Sequence, residues 1–262
     1  MLEFGTRHAL GLALSRRGML TALSTLPLFA SSSRLFARGT AGTAGESPIS
    51  ALAAHYKGLT SYTDTGTVET FVRWPGAPGV TEQHTFRTAF RAPRNFFFRF
   101  DAKDASGDAL VIWCDGGPFQ SWWKATGVHE VYDGGRGASA FLNAASTTSD
   151  TANLIAPHLF PQAKLPGPTT GFLDATAGGE EKLGQRQCRK ITASQRTTGV
   201  QTIEKRPVTL WIDTETNLIV QVLMDTPAGS ASDTADRKTY LIDPVANPAV
   251  DDASFTFKPP GG

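Results

Sequence analysis

The chain has 262 residues, is 40% hydrophobic and 10% aromatic, and carries a formal net charge of +1. If an N-terminal leader ending at Ala37 is removed, 21 basic and 23 acidic residues remain, a net charge of −2. This balance, without any basic block, excludes the electrostatic profile of a nucleic-acid-binding protein.

The N-terminal segment has the features of an export signal. Arg16 and Arg17 directly precede an uncharged run, Met19 to Ala30, and small residues follow it. A basic start, a short apolar core and small residues near the cut define a secretory signal, and the paired arginines resemble a twin-arginine signal. The alternatives are a short buried helix or a membrane anchor, but the run is too short and too interrupted to span a bilayer.

We therefore expect residues 1–44 to be a signal peptide and linker, and residues 45–262 to form one domain. Cleavage after Ala37 and cleavage after Ala44 both fit the small-residue pattern. The predicted location is the periplasm, reached by the twin-arginine route, and no transmembrane segment is expected in the mature chain.

The first part of the domain predicts one helix followed by closely spaced strands. Pro48 suits the first position of a helix over Ser47–Lys57. Next come a strand ending near Trp74 and a hairpin in which one face carries Phe and the other carries Arg. The strands of this hairpin and the three short strands after it are His84–Arg91, Phe96–Asp101, Ala109–Cys114, Phe119–Lys124 and Val128–Tyr132.

After these strands the alternation of apolar and polar residues stops, and it resumes later in the chain. Ala138–Ala145 and Asp150–Leu159 lack strand alternation, so we expect two short helices inserted between two halves of a sheet, with Asp150 as an N-cap. The second half contains the clearest hairpin of the sequence, Pro207–Met224. The remaining predicted strands are Phe172–Leu183, Arg186–Ser194, Arg237–Asp243 and a short final strand over Ser254–Pro260.

Signatures of catalysis are weak. The four histidines after the leader are not at metal-ligand spacing, and no HExxH, CxxC or GxSxG motif occurs. We therefore expect no catalytic residue, no metal and no cofactor. Cys114 and Cys188 both fall in predicted strands, and they either form a disulfide in an oxidising compartment or remain two independent buried thiols.

The order of a leading helix, a half of strands, two inserted helices and a second half of strands resembles the periplasmic lipoprotein-carrier (LolA-like) superfamily. The likeness is carried by Tyr56–Tyr62, Phe86–Phe98, Leu210–Leu218 and Phe255–Pro260. It covers residues 49–260 and includes no catalytic signature. The resemblance implies a mainly β (α+β) fold: an unclosed antiparallel β-barrel, or half-barrel, whose short lid helices cover a cavity that accepts acyl chains.

Strand alternation identifies the residues that would line such a cavity. They are Phe86, Phe90, Phe96, Phe98, Ile112, Trp123, Leu210 and Val220. The assignment assumes regular alternation, because a single bulge inverts the face of the residues around it. The alternative is that these side chains simply fill a core.

Two functions follow from these alternatives. The first is a periplasmic, non-enzymatic carrier or sensor that binds a lipid, an acyl chain or a lipoprotein in the half-barrel. The second is a regulatory or scaffolding protein with a filled core, whose sheet binds another envelope protein.

Overall fold

The computed structural model describes residues 47–102, 108–198, 203–226 and 235–260. The predicted signal peptide and linker, residues 1–44, lie outside these ranges. The described residues all belong to one unit, Thr43–Gly262. No helix among them is long and apolar enough to cross a membrane.

The described chain contains two series of β-strands, and short helices separate the first series from the second. The first series is β1 (Ser61–Arg73), β2 (Val80–Arg91), β3 (Asn95–Ala102), β4 (Ala109–Cys114), β5 (Phe119–Trp123) and β6 (Val128–Tyr132). The second series is β7 (Phe172–Leu183), β8 (Arg186–Thr198), β9 (Ile203–Asp213), β10 (Ile219–Thr226) and β11 (Ala235–Ala246).

These strands form one sheet in the order β6-β5-β4-β3-β2-β1-β11-β10-β9-β8-β7. Each series is an antiparallel meander, and the pairing of β1 with β11 joins the two series at the centre of the sheet. β6 and β7 are the two ends of the described sheet, which is therefore not closed. The predicted fold class, a mainly β unclosed antiparallel sheet with short helices, is confirmed.

Three short α-helices accompany the sheet in the described part of the chain. α1 (Pro48–Lys57) precedes β1, whereas α2 (Gly137–Ala144) and α3 (Ala156–Leu159) lie between β6 and β7. The segment that carries α2 and α3, residues 137–163, is called the insert below. The helix predicted over Asp150–Leu159 is wrong in its extent, because Asp150 has a left-handed φ of 65° and a 3-10 turn follows it. The Asp150 carboxylate instead pairs with Lys238 Nζ at 2.7 Å and caps no helix.

The helices cover one face of the sheet, called the inner face. Alternation places Tyr62, Val68, Phe86 and Phe98 there, all at most 5% exposed. Side chains of the insert pack onto this row and complete a single large core. Each fully buried Phe contributes roughly 1.5–3 kcal/mol of hydrophobic free energy, so this contact holds the insert against the sheet.

The opposite face, called the outer face, is covered by the end of the chain over β3, β4 and β5. Phe255 is fully buried, and it clusters with Phe97, Val111, Trp113 and Trp122. The final strand predicted over Ser254–Pro260 is wrong. Asp252–Phe255 form a 3-10 turn, and the Phe257 ring packs against the rings of Trp113 and Trp122. The aromatic side chains of this tail therefore cover the sheet from outside, and the tail adds no strand at its edge.

Candidate functional site

Six of the eight predicted cavity residues lie together in the inner-face core. All six are at most 5% exposed: Phe86, Phe90, Phe96, Phe98, Ile112 and Leu210. The register explains this grouping, because Phe90 is opposite Phe96, and Phe98 is opposite both Thr88 and Ile112. Regular alternation through β2, β3 and β4 therefore brings these side chains to one face.

The insert occupies the space above these residues. Phe160 packs against Phe90 and Phe96 with ring centroids 5.5 and 5.4 Å apart, and Phe141 lies 5.3 Å from Phe96. Edge-to-face pairs at such distances are favourable packing. These predicted lining residues are thus covered by the insert, and a role in holding a ligand stays a prediction for them.

Trp123 lies at the edge of an open cleft beside α2. The cleft has two adjoining parts of about 520 and 330 Å³, which share Leu110, Trp123 and Thr147. Phe100 and Leu110 form its apolar floor on the inner face, and Ala140 and Ala144 of α2 form the facing wall. This space, called the α2 cleft, is where the inner face is accessible, since Trp123 is 36% exposed.

The rim of the α2 cleft is polar. His84 and Glu82 occupy the inner face of β2 one and two alternation steps beyond Phe86, so the strand changes from apolar to polar toward the rim. The His84 ring stacks on Phe100 at 4.8 Å, and its Nε2 lies 3.8 Å from a Glu82 carboxylate oxygen. The cleft therefore presents an apolar floor and a polar edge.

The eight predicted cavity residues do not include two residues of the cleft floor, Phe100 and Leu110. The signal for Phe100 was present, because it continues the alternation of Phe96 and Phe98. Nothing in the sequence separated these two from the covered residues, since the position of the insert decides which part of the inner face stays open.

Val220 lies on the other side of the sheet from the predicted cavity. Ile219 is opposite Ile212 and Gln221 is opposite Trp211, so a bulge separates the two pairs. Ile219 consequently points into the inner-face core, whereas Val220 packs with Cys188 and Trp211 in a separate cluster. The inversion that one bulge produces is what moved this residue away from Leu210.

Cys114 and Cys188 are free thiols, so the structure does not contain the disulfide considered from the sequence. Cys114 belongs to the inner-face core, and Cys188 belongs to the cluster with Trp211 and Val220. Their strands, β4 and β8, lie in opposite halves of the sheet. Burial raises the pKa of both thiols, which is the opposite of what activates a cysteine nucleophile.

A carboxyl group and an imidazole lie buried under the helices. Asp64 is 3% exposed, it accepts a hydrogen bond of 2.8 Å from the Tyr62 hydroxyl, and burial raises its pKa to about 6. His158 of α3 stacks on Tyr56 of α1 at 5.1 Å, and burial lowers its pKa to about 4. The Thr169 hydroxyl donates to Leu154 O at 2.6 Å, so His158 Nε2, at 2.9 Å, is the donor to Thr169. His158 is thus a neutral link between the insert and the segment after it.

Comparisons with known proteins give matches among solved structures only. No protein-family model and no curated protein matches the chain. Lipoprotein LppX of Mycobacterium tuberculosis matches with 18% identity, 77% of this chain, 98% of that chain and a TM-score of 0.41. LprF of Mycobacterium bovis matches with 12% identity, 78% and 92% coverage and a TM-score of 0.42.

A LolA superfamily protein of Nitrosomonas europaea matches with 10% identity, 80% of this chain, 97% of that chain and a TM-score of 0.31. At these identities and TM-scores the matches assign neither a function nor a ligand to this chain.

Proposed function

We propose that the protein is an exported, non-enzymatic carrier or sensor that holds a lipid or acyl chain in the α2 cleft. The observation that carries this proposal is the cleft itself: an open space with an apolar floor, a polar rim and two adjoining parts of about 520 and 330 Å³. Pockets that bind small molecules commonly have about 300–1,000 Å³, mostly apolar walls and a few polar groups.

The floor supports an apolar tail in preference to a polar ligand. Phe100 and Leu110 are 5% and 6% exposed at the base of the cleft, and Trp123 stands beside them at 36% exposure. A methylene group that leaves water for such a surface gains about 0.8 kcal/mol before the costs of binding. About ten methylenes buried along the cleft would gain about 8 kcal/mol before those costs, which is the free energy that corresponds to micromolar affinity.

The predicted lining residues beneath the insert extend this proposal. Phe96 and Phe98 continue the same inner-face row as Phe100, but Phe141 and Phe160 cover that part of the row. A longer chain would reach them only if the insert moved away from the sheet. In the proposal these residues are the deeper part of the same site, and their exposure depends on the insert.

The regulatory or scaffolding function remains the second candidate, and one observation favours it. The inner face under the insert is a packed core, as expected of a protein that binds another protein with its surface. In that case the α2 cleft would receive a side chain of an envelope protein in place of a lipid.

The α2 cleft is tested by changing its most accessible aromatic residue. We expect Trp123→Ala to weaken binding of a monoacylglycerol with a pyrene-labelled acyl chain by about fivefold, and Trp123→Asp to weaken it by more than about tenfold. The probe is neutral, so the acidic rim does not oppose it.

Trp74→Ala is the matched control, because Trp74 is 53% exposed and lines no part of the cleft. Equal affinity of wild type and Trp123→Asp would reject the α2 cleft as the binding site. Failure of the wild type to bind any neutral single-chain lipid would favour the scaffolding function.

A further inference from the structure

A second cavity lies on the outer face of the sheet, away from the α2 cleft. It has about 770 Å³ and crosses β3, β2, β1, β11 and β10. Threonine hydroxyls, arginines and aliphatic side chains are among the groups that line it, including Thr65, Thr67, Thr85, Arg87, Val220 and Leu241. This space is called the outer pocket.

Two local features build the outer pocket. The β10 bulge turns Val220 to the outer face. The turn between β7 and β8 forms a wall, and Arg186 holds this wall through ion pairs with Asp213, at 3.5 Å, and with Asp243. The outer pocket is thus formed by specific features of the fold, and ion pairs hold one of its walls in place.

The arginines that the sequence placed on the outer face of the β2–β3 hairpin are not equivalent. Arg91 pairs with Asp252, and Arg99 makes bonds of 2.7–2.9 Å to both carboxylate oxygens of Asp101. Arg87 lies directly opposite Arg99, and its guanidinium carbon is 4.9 Å from the Phe97 ring centroid. Within the described ranges no carboxylate forms an ion pair with Arg87, although its side chain lines the outer pocket.

The charges around the outer pocket leave Arg87 available. Of the lining carboxylates, Asp101 is bound by Arg99 and Asp243 is bound by Arg186. Arg99 and Arg186 are thus each balanced by a carboxylate, and within the described ranges Arg87 is the lining arginine whose charge no carboxylate balances.

We propose that the outer pocket is a second ligand site, which binds a compact anion, a carboxylate or a phosphate monoester, on a short alkyl body. The Arg87 guanidinium pairs with the anion, and the hydroxyls of Thr65 and Thr85 beside it donate hydrogen bonds. Val220, Leu241 and Leu183 cover the alkyl body. The α2 cleft does not suit such an anion, because Glu82 lies at its rim and its described lining includes no lysine or arginine.

The test measures binding of octanoate, octyl phosphate and octanol below their critical micelle concentrations by isothermal titration calorimetry. We expect Arg87→Gln to weaken binding of both anions by about five- to tenfold and to leave octanol unchanged, as loss of one charge-assisted contact at an accessible site would do. Arg73→Gln is the matched control, because Arg73 is an exposed β1 arginine outside the pocket.

A second variant locates the site. Thr67→Trp would fill the outer pocket from an exposed position without touching the inner-face core, and we expect it to abolish binding of both anions. Near-ultraviolet circular dichroism would verify that each variant is folded. The proposal is overturned if neither anion binds, if Arg87→Gln binds them as tightly as wild type does, or if Trp123→Ala is the variant that loses them.

Discussion

The two faces of the sheet are covered in different ways. The inner face is covered by the insert, whose Phe141, Leu154 and Phe160 join one continuous core with the strands. The outer face is covered in patches, by Phe255 of the tail over β3–β5 and by the β7–β8 turn near the outer pocket. Alternation determines which residues share a face, but the segments that return over the sheet determine which residues stay accessible.

The largest expected effect is the loss of an inner-face aromatic residue. Phe98 is 2% exposed. We expect Phe98→Ala to lower the free energy of unfolding by about 3–5 kcal/mol, because it removes a large buried group and leaves a cavity. Thr85→Ala, on the outer face of the neighbouring strand, should change it by less than about 0.5 kcal/mol. Urea unfolding measures both, and similar values for the two variants would contradict the assigned faces.

The outer-face cover is tested by a tail residue. Phe255 is fully buried, with the Arg91 guanidinium 5.2 Å from its ring centroid. We expect Phe255→Ala to cost about 3 kcal/mol and to make the tail susceptible to proteolysis, because a tail without its anchor opens locally. Ser254→Ala is the control. A protease-resistant Phe255→Ala variant with wild-type stability would show that the tail does not cover the sheet.

The buried ionisable groups predict opposite dependences of stability on pH. The pKa of Asp64 is 3.8 when unperturbed and about 6 in the fold, so the folded chain binds more protons between these values. Its contribution to stability therefore falls as pH rises from about 4 to about 6, by about 3 kcal/mol in all. For His158 the values are 6.5 and about 4, so its contribution falls as pH drops through the same window.

Two variants separate these contributions. We expect Asp64→Asn to be more stable than wild type at pH 7 by up to about 3 kcal/mol. Because His158 is the titrating group that remains in this variant, its stability should fall as pH drops below about 6. His158→Gln retains a donor for Thr169 and leaves Asp64 as the titrating group, so this variant should instead gain stability as pH falls from about 6 to 4. Thermal unfolding between pH 4 and 7 measures both. Parallel profiles for the two variants would contradict the burial of at least one group.

The smallest expected effect concerns the β10 bulge. In a double-mutant cycle, Val220→Ala should couple with Trp211→Phe by about 0.5–1 kcal/mol, because these side chains share the outer cluster. Val220→Ala and Leu210→Val should be additive, since the sheet separates them. Coupling of Val220 to Leu210 in place of Trp211 would contradict the bulge and indicate that β10 alternates regularly, as the sequence predicts.

The sequence predicts the strands better than it predicts which segments pack over the sheet. Phe86, Phe90, Phe96 and Phe98 were assigned to one face correctly, because no bulge interrupts β2 or β3. Val220 was misplaced because a bulge has no clear signature in an apolar run. The final strand was wrong because Phe255 and Phe257 alternate as they would in a strand, and yet they pack on the sheet surface. The openness of the α2 cleft depends on long-range packing of the insert, which local patterns do not report.

The most direct test of the central claim is native mass spectrometry of the protein purified from its own cells, followed by denaturation and lipid extraction. The account predicts a co-purifying lipid or acylated species at near one-to-one stoichiometry, and its loss in Trp123→Asp but not in Trp74→Ala. A ligand-free mass for the wild type, with no uptake of added monoacylglycerol, would contradict the carrier function and favour recognition of another protein.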